Sequence, residues 1–359
     1  MATSTRIQER MTPWDLTQLR QKAFIKAMIT SLAALLLFLY LLPLGYGVIT
    51  SLKTKEQTSD PKGSILPSEP RQYVYEGESY PVYKVPTDSG EKEWALVKKG
   101  RKSSFFIDPQ NPQAGLIEWK GFWNKLEPVN QISPQWENYR EAYNTIDFFR
   151  LLGNTLMYAF VTMIGAVTSA TLVAYGFARF RFPFRNVLFI ILISTIVLPP
   201  QVTLIPQYAF FTRLLNWGGS WKPLIIPAYF GNAYNIFLLR QYFLTIPREL
   251  EDAAKIDGAG PFRTLISVIL PQSIPALTAV SLFHFFFAWN DFFNPLLYLS
   301  GQRDKMPMAV GLHFFNGIYN REPQLILAAS VMTIILPLVI FFLAQRVFIQ
   351  GIVITGVEK

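Results

Sequence analysis

Six stretches of the chain, at 27–52, 151–178, 187–211, 223–244, 265–289 and 325–345, are apolar and nearly free of charge, and they constrain the fold more than any other feature. Crossing a hydrocarbon core of about 30 Å takes about 20 helical residues, which is the size of these runs. A backbone inside lipid must satisfy its own hydrogen bonds, so runs of this length read as helices. With 51% hydrophobic and only 16% charged residues clustered in this way, the solvent is the bilayer. The expectation is an all-α polytopic membrane protein with six transmembrane helices. Only Arg240, near the end of the fourth run, carries a charge inside one. A charge at mid-bilayer costs about 2.5–3.5 kcal/mol on insertion scales, which places Arg240 at the interface with its guanidinium reaching the cytosol.

The net charge of +9 is explained by membrane orientation. Arg6, Arg10, Arg20, Lys22 and Lys26 precede the first run, and the short 178–186 turn holds Arg179, Arg181 and Arg185 without an acid. Positive residues stay inside, so both termini are expected in the cytosol, although the outer loops also carry Arg213, Lys222, Arg303, Lys305 and Arg321. These basic residues flank spans and interleave with no stacking platform, which excludes a nucleic-acid partner. Cysteine is absent and histidine occurs only at 284 and 313, so disulfides, thiolate catalysis and His- or Cys-rich metal sites are excluded. No phosphate-cradling Gly-x-x-x-x-Gly-Lys-Ser/Thr loop, nucleophile elbow or paired catalytic carboxylates occur; the chain is not read as an enzyme. The first run is too long for the apolar core of a cleaved signal, ends at Pro43, Gly45 and Gly47, and is expected to remain as an anchor.

Composition divides the chain into a cytoplasmic tail (1–22), a first transmembrane helix (23–52), an extracytoplasmic insert (53–149), a core of five helices (150–348) and a cytoplasmic C-terminal tail (349–359). Within the insert, β-type segments at 72–75, 80–85, 94–98, 103–107 and 116–119 alternate with turn signals at Glu76-Gly77, Asp88-Ser89-Gly90, Lys99-Gly100 and Asp108-Pro109. That predicts a small β-rich module followed by a helical approach over 134–149. The acids Glu76, Glu78, Asp88, Glu91 and Glu93 read as a solvated face. Gly165, Ala166, Ser169, Ala170 and Ala174 mark a close helix contact in the second span.

Between the fourth and fifth runs lies Pro247-Arg248-Glu249-Leu250-Glu251-Asp252-Ala253-Ala254-Lys255-Ile256-Asp257-Gly258-Ala259. Pro suits a first helical turn, the acids complement the dipole there, and Gly258 suits a left-handed stop. A short charged helix over 247–260 is expected, with Ala253 and Ala254 leaving room for another chain to approach its backbone. With Val268 and Leu270-Pro271 downstream, the segment resembles the EAA loop of ABC-importer permeases: Glu-Ala-Ala, three residues, Gly, nine residues, Ile, one residue, Leu-Pro. Asp252 stands at the Glu position, with Glu251 as the alternative carboxylate, and Val268 at the Ile position. Asn154-Thr155, the Ala288–Leu296 segment and Arg346–Gly351 are similar to the carbohydrate-uptake branch, in particular the second permease of maltose-type transporters. The resemblance covers 24–52 and 134–359; it does not account for 60–125, and the tail at 354–359 departs from the family's glycine-rich one.

The resemblance implies six transmembrane helices of the ABC importer permease type with a small β-rich extracytoplasmic insert between helices 1 and 2, in a bacterial or archaeal inner membrane. It also implies a homologous second permease, two ATPase subunits that bind the ATP and Mg2+, an extracytoplasmic solute-binding protein, and membrane lipid. This chain itself binds no cofactor. Glu249, Glu251, Asp252, Ala253, Ala254, Asp257 and Gly258 are the expected ATPase-coupling residues, Asp257 either pairing with an ATPase cation or capping its own loop. A translocation path is expected past Asn232, Asn235, His284 and Asn290, with Gln201, Gln207 and Asn294 of the same type; hydrogen bonding between helices is the competing role for each. The cargo reads as a sugar or oligosaccharide, or alternatively a polyol or glycerol phosphate, and the insert as a docking surface for the binding protein or a spacer. A secondary transporter needs inverted repeats and intramembrane carboxylates, for which only Asp291 is available; a membrane scaffold without transport is the other rival.

Overall fold

The computed structural model describes residues 13–60, 63–87, 90–315 and 322–356. Arg6 and Arg10, the Asp88-Ser89 part of one expected turn, Arg321 and the last three residues of the C-terminal tail lie outside the described residues. The chain divides into two compact units, Met1–Pro134 and Gln135–Lys359, so the boundary falls before the helical approach to the second span and not after it.

The first unit opens with α1 (Pro13–Ser51), whose side chains over 21–46 are all exposed, a surface fit for hydrocarbon. The helix begins well before residue 23, inside the expected tail, because Pro13 suits a helix start and nothing up to Leu42 breaks it. It also runs through Pro43, Gly45 and Gly47, which do not end it. A short α2 (Lys55–Ser59), capped by Thr54 through its hydroxyl to the Gln57 N–H (3.1 Å), leads into the β module. There β1 (Ser68–Pro70), β2 (Gln72–Tyr75), β3 (Glu78–Thr87), β4 (Gly90–Lys98), β5 (Ser103–Ile107), β6 (Ile117–Lys120) and β7 (Asn130–Ile132) form two sheets: β1 with β7, and an antiparallel meander β2-β3-β4-β5-β6. Each β-type segment read from the sequence contributes a strand of the meander; the β1/β7 ribbon had no alternation long enough to reveal it. The β2–β3 connection is the two-residue loop Glu76-Gly77 with φ of 50° and 85°, the geometry that matches strand twist. Both faces are covered. Val85, Trp94, Leu96 and Phe106 pack with Trp119 and Trp123 on one, and Val82, Ala95 and Ile107 with Tyr73, Tyr75 and Tyr80 on the other.

The second unit comprises α3 (Glu137–Thr145), α4 (Phe148–Arg179), α5 (Arg185–Val197), α6 (Pro200–Ala209), α7 (Lys222–Ile225), α8 (Ala233–Thr245), α9 (Glu249–Ile256), α10 (Pro261–Thr264), α11 (Leu270–Gln272), α12 (Ile274–Trp289), α13 (Phe293–Tyr298), α14 (Met308–Gly311) and α15 (Pro323–Gly356). α4 is its axis: Gly165, Ala166, Ala170, Ala174 and Ala178 are buried, and the helix packs on α8 and α12. Small residues at four-residue spacing let backbones approach without loss of rotamer entropy.

The described residues do not form six continuous spanning helices. Among the described residues, 21–51, Phe148–Arg179 and Pro323–Gln345 are long and apolar enough to cross, and the count reaches five if two bent pairs each cross once. The third run is Arg185–Val197 plus Gln201–Leu214, bent by 99°, because Pro199 and Pro200 force extended backbone before them and then restart a helix. The fifth is Pro261–Gln272 plus Ile274–Trp289, bent by 82° at Ser273. The fourth, 223–244, is α7, a 3-10 turn (Ile226–Phe230), a break at Gly231 (φ 94°) and the 13-residue α8. Pro227 lacks the N–H a continuous helix would need there. The C-terminal tail expected from 349 is helical through Gly356, the helix continuing past Pro337 and Gly351.

Candidate functional site

The loop after α8 is built by local rules. Ile246, extended by the proline after it (ψ 127°), ends α8, and α9 begins after Arg248. Glu249, Glu251 and Asp252 occupy its first turn and Lys255 its last. Gly258 has φ 78°; the Ala259 N–H donates to the Ala254 carbonyl (2.8 Å) and the Gly258 N–H to that of Lys255 (3.0 Å), a paired closure that leaves no orphan acceptor at those positions. A Cβ at 258 would meet nothing within 4 Å, so glycine is needed there for backbone conformation alone.

The expected coupling residues do not all face outward. Glu249, Asp252, Ala253 and Asp257 are exposed and Ala254 is half-buried, with Ile256 (87% exposed) and Leu250 forming apolar projections beside them. Asp252 pairs with Lys255 (2.8 Å), and that ammonium holds its carboxyl below the usual range. The Asp257 side chain makes no bond within the described residues; the loop is capped by backbone groups. Glu251 turns inward to an ion pair with Arg179 (Nε–Oε1 2.6 Å), both side chains being more than nine-tenths buried. The Arg179 guanidinium also donates to the Ile246 carbonyl (2.8 Å). From sequence Arg179 reads only as an orienting charge; its signal as a structural partner is its position as the last residue of a span beside an acid-rich loop.

A second feature is a cavity of about 220 Å³ among α4, α6, α7 and α12–α13, lined by Tyr158, Thr162, Gln207, Phe211, His284, Phe287, Asn294 and Tyr298 with Pro223, Leu224, Pro227 and Ala228. Of the residues expected along a path, His284, Gln207 and Asn294 line this cavity. Asn232, Asn235 and Asn290 do not line this cavity. The Asn232 carboxamide caps α8 by accepting from the Asn235 N–H (3.1 Å), Asn235 is buried, and Asn290 donates to the Phe286 carbonyl (2.8 Å). The cavity wall is tied by Asp291, a buried carboxylate that accepts from the Tyr158 hydroxyl (2.8 Å) and the Asn294 amide (3.1 Å). The polar groups of the lining are hydroxyls, neutral amides and one imidazole, set among aromatic, proline and aliphatic side chains, chemistry that suits an uncharged polar solute. Arg240 lies half-buried with its guanidinium 4.0 Å above the Phe189 ring, a cation–π contact between α8 and α5. At the head of α4, Asn154 donates to the carbonyls of Asp304 (2.8 Å) and Met306 (3.0 Å), and Thr155 accepts from the Met308 N–H (2.8 Å), pinning the loop before α14. No group of three or more metal-ligating side chains occurs among the described residues.

Comparison with known proteins places these features in a family context. Residues 166–353 match the family described as binding-protein-dependent transport system inner membrane component. The chain is similar to the osmoprotective compounds uptake permease protein GgtD of Synechocystis (31% identical, 74% of this chain, 88% of that one). It is also similar to the sn-glycerol-3-phosphate transport system permease protein UgpE of Pectobacterium atrosepticum (33%, 61% of this chain, 79% of that one). A third relative is the alpha-glucoside transport system permease protein AglG of Rhizobium meliloti (30%, 62% and 60%). In fold it is similar to a chain of a bacterial ABC transporter that imports the acidic polysaccharide alginate, with TM-score 0.63 and 19% identity over 91% of this chain and 97% of that one. That coverage leaves out less than the length of the β-rich insert, so part of the insert has a structural counterpart.

Proposed function

Since the chain belongs to the family of binding-protein-dependent transport system inner membrane components and is an ABC importer permease, we propose that it imports a sugar or oligosaccharide handed over by an extracytoplasmic solute-binding protein. A polyol or glycerol phosphate is the second reading, favoured by the similarity to a glycerol-3-phosphate permease. In this reading a homologous permease completes the path and two ATPase subunits carry the ATP and Mg2+. Six crossings come from α1, α4, the two bent pairs, the α7–α8 pair and α15. Both termini and α9 lie in the cytosol, and the β-rich module and the 300–322 loop lie outside. α9 is the coupling helix. Glu249, Asp252, Ala253, Ala254 and Asp257 with the apolar Leu250 and Ile256 meet the ATPase, Glu251 holds the helix to its own chain, and Gly258 sets the exit. The cavity at His284 is a segment of the path.

One observation carries the assignment: a short charged helix, closed by a left-handed glycine and anchored by a buried ion pair, that presents Ile256 almost fully exposed. An apolar side chain so presented beside exposed carboxylates fits a protein partner. The test is labelling of Lys255 and of a cysteine at Ile256 in sealed vesicles of both orientations. Reaction from the cytosolic face, with protection at 256 when a nucleotide-hydrolysing subunit co-purifies, is expected. Reaction of Lys255 from the outer face removes the importer topology.

A further inference from the structure

The last turn of α4 touches the coupling loop at its entry, its body and its exit. Arg179 donates to the carbonyl of Ile246, where α8 ends (2.8 Å), and its Nε pairs with Glu251 on α9 (2.6 Å). One turn earlier, on the same face, the Tyr175 hydroxyl donates to the carbonyl of Pro261, where α10 begins (3.2 Å). The ion pair is buried, its side chains 5% and 8% exposed, and the other two bonds are partly buried, with Tyr175 7% exposed. The elements that continue the loop are poor rods. Its exit leads through α10, a π turn (Leu265–Ile269) and the 82° bend at Ser273 before α12 begins, and its entry is the 13-residue α8 behind the break at Gly231. α4 is unbroken over 32 residues and carries Tyr158 and Thr162 of the cavity wall, about 30 Å from Arg179 along the axis.

We propose that Arg179 and Tyr175 are positioning residues that lock the coupling helix to the end of α4, so that displacement of α9 reaches the cavity as movement of α4 and not through the bent segments leading to α12. The proposal rests on the reading of α9 as the coupling helix. Force follows the stiffest connection: a buried ion pair with two hydrogen bonds yields less than a helix interrupted by a π turn and a proline-flanked bend. Arg179 links entry to body and Tyr175 secures exit, so the loop cannot tilt on α4 without breaking a buried polar contact.

The chain has no cysteine, which permits paired labels at Thr168→Cys, exposed on α4, and Ile256→Cys on α9. The distance between spin labels at these sites is measured by pulsed EPR in the transporter purified with its ATPase, without nucleotide and after trapping with ATP and vanadate. The expected result is one narrow distance, the same in both states, that broadens in Arg179→Ala and narrows again in the charge-exchanged Arg179→Glu, Glu251→Arg pair. A purely structural role for the ion pair would lower protein yield in the single variant without widening the distribution of what survives. A distance that shifts on trapping in the Arg179 protein overturns the lock while leaving α9 as the coupling helix. A label at 256 whose spectrum is unaffected by the bound ATPase overturns the coupling assignment and the lock with it.

Discussion

Gly165 sits at the middle of α4, a position where helix propensity alone recommends alanine. Exchanging glycine for alanine inside a helix gains about 1 kcal/mol, mostly by narrowing the freedom of the unfolded backbone. The structure reverses that sign. A Cβ at 165 would lie 2.6 Å from Cδ2 and Cε2 of Tyr229 and 2.8 Å from its Cγ. The ring cannot swing aside cheaply, because its hydroxyl donates to the Val161 carbonyl (3.3 Å) and the carbonyl of the preceding Ala228 accepts from Ser169 (3.3 Å). Overpacking of this kind costs about 1–3 kcal/mol, so Gly165→Ala is expected to destabilise by up to about 2 kcal/mol net. Gly153, on the same helix, has nothing within 4 Å of its would-be Cβ, and Gly153→Ala is expected to stabilise by up to about 1 kcal/mol. The assay is the midpoint of heat-induced loss of monodisperse protein in detergent. Gly165→Ala falls below the parent and Gly153→Ala above it, and Tyr229→Ala added to Gly165→Ala erases the penalty assigned to the clash. Equal midpoints for the two alanine variants, or a higher one for Gly165→Ala, would refute the contact as the reason for glycine.

Two further outcomes follow from buried contacts. Phe106 is fully buried between Trp94 and Trp119 (ring centroids 6.4 and 6.0 Å), and Phe106→Ala is expected to cost the β module about 3–5 kcal/mol, read as faster cleavage of 60–130 by added protease; unchanged cleavage contradicts the packing. Thr155→Val leaves the Met308 N–H buried without its acceptor and is expected to lower stability by about 1–3 kcal/mol, whereas Thr155→Ser retains the bond and the thermal midpoint; equal losses in both variants would point to packing instead.

Much of this architecture was legible because its rules are local or depend on one solvent. The strands of the meander follow alternation between turn residues, and the left-handed Gly258 follows from an acid-rich helix that has to stop. Apolar length marked the runs in which the long and the bent helices lie. What could not be read was continuity: α1 passes Pro43 and two glycines unbroken, whereas the run around Pro227 and Gly231 splits. The same residue types give opposite results because a break persists only where neighbouring helices re-satisfy the freed backbone groups.

The functional residues divide along the same line. Residue order alone determined that the chain lives in a membrane and that a short charged helix joins two apolar runs, since transfer free energy and capping are properties of neighbours along the chain. Tertiary structure alone decided that Glu251 faces Arg179, 72 positions away, while Asp252 faces water. It likewise gathered His284, Gln207 and Asn294 around one cavity and left Asn232 as a helix cap. Burial and pairing between distant segments are set by how helices cross, and no local pattern encodes a crossing.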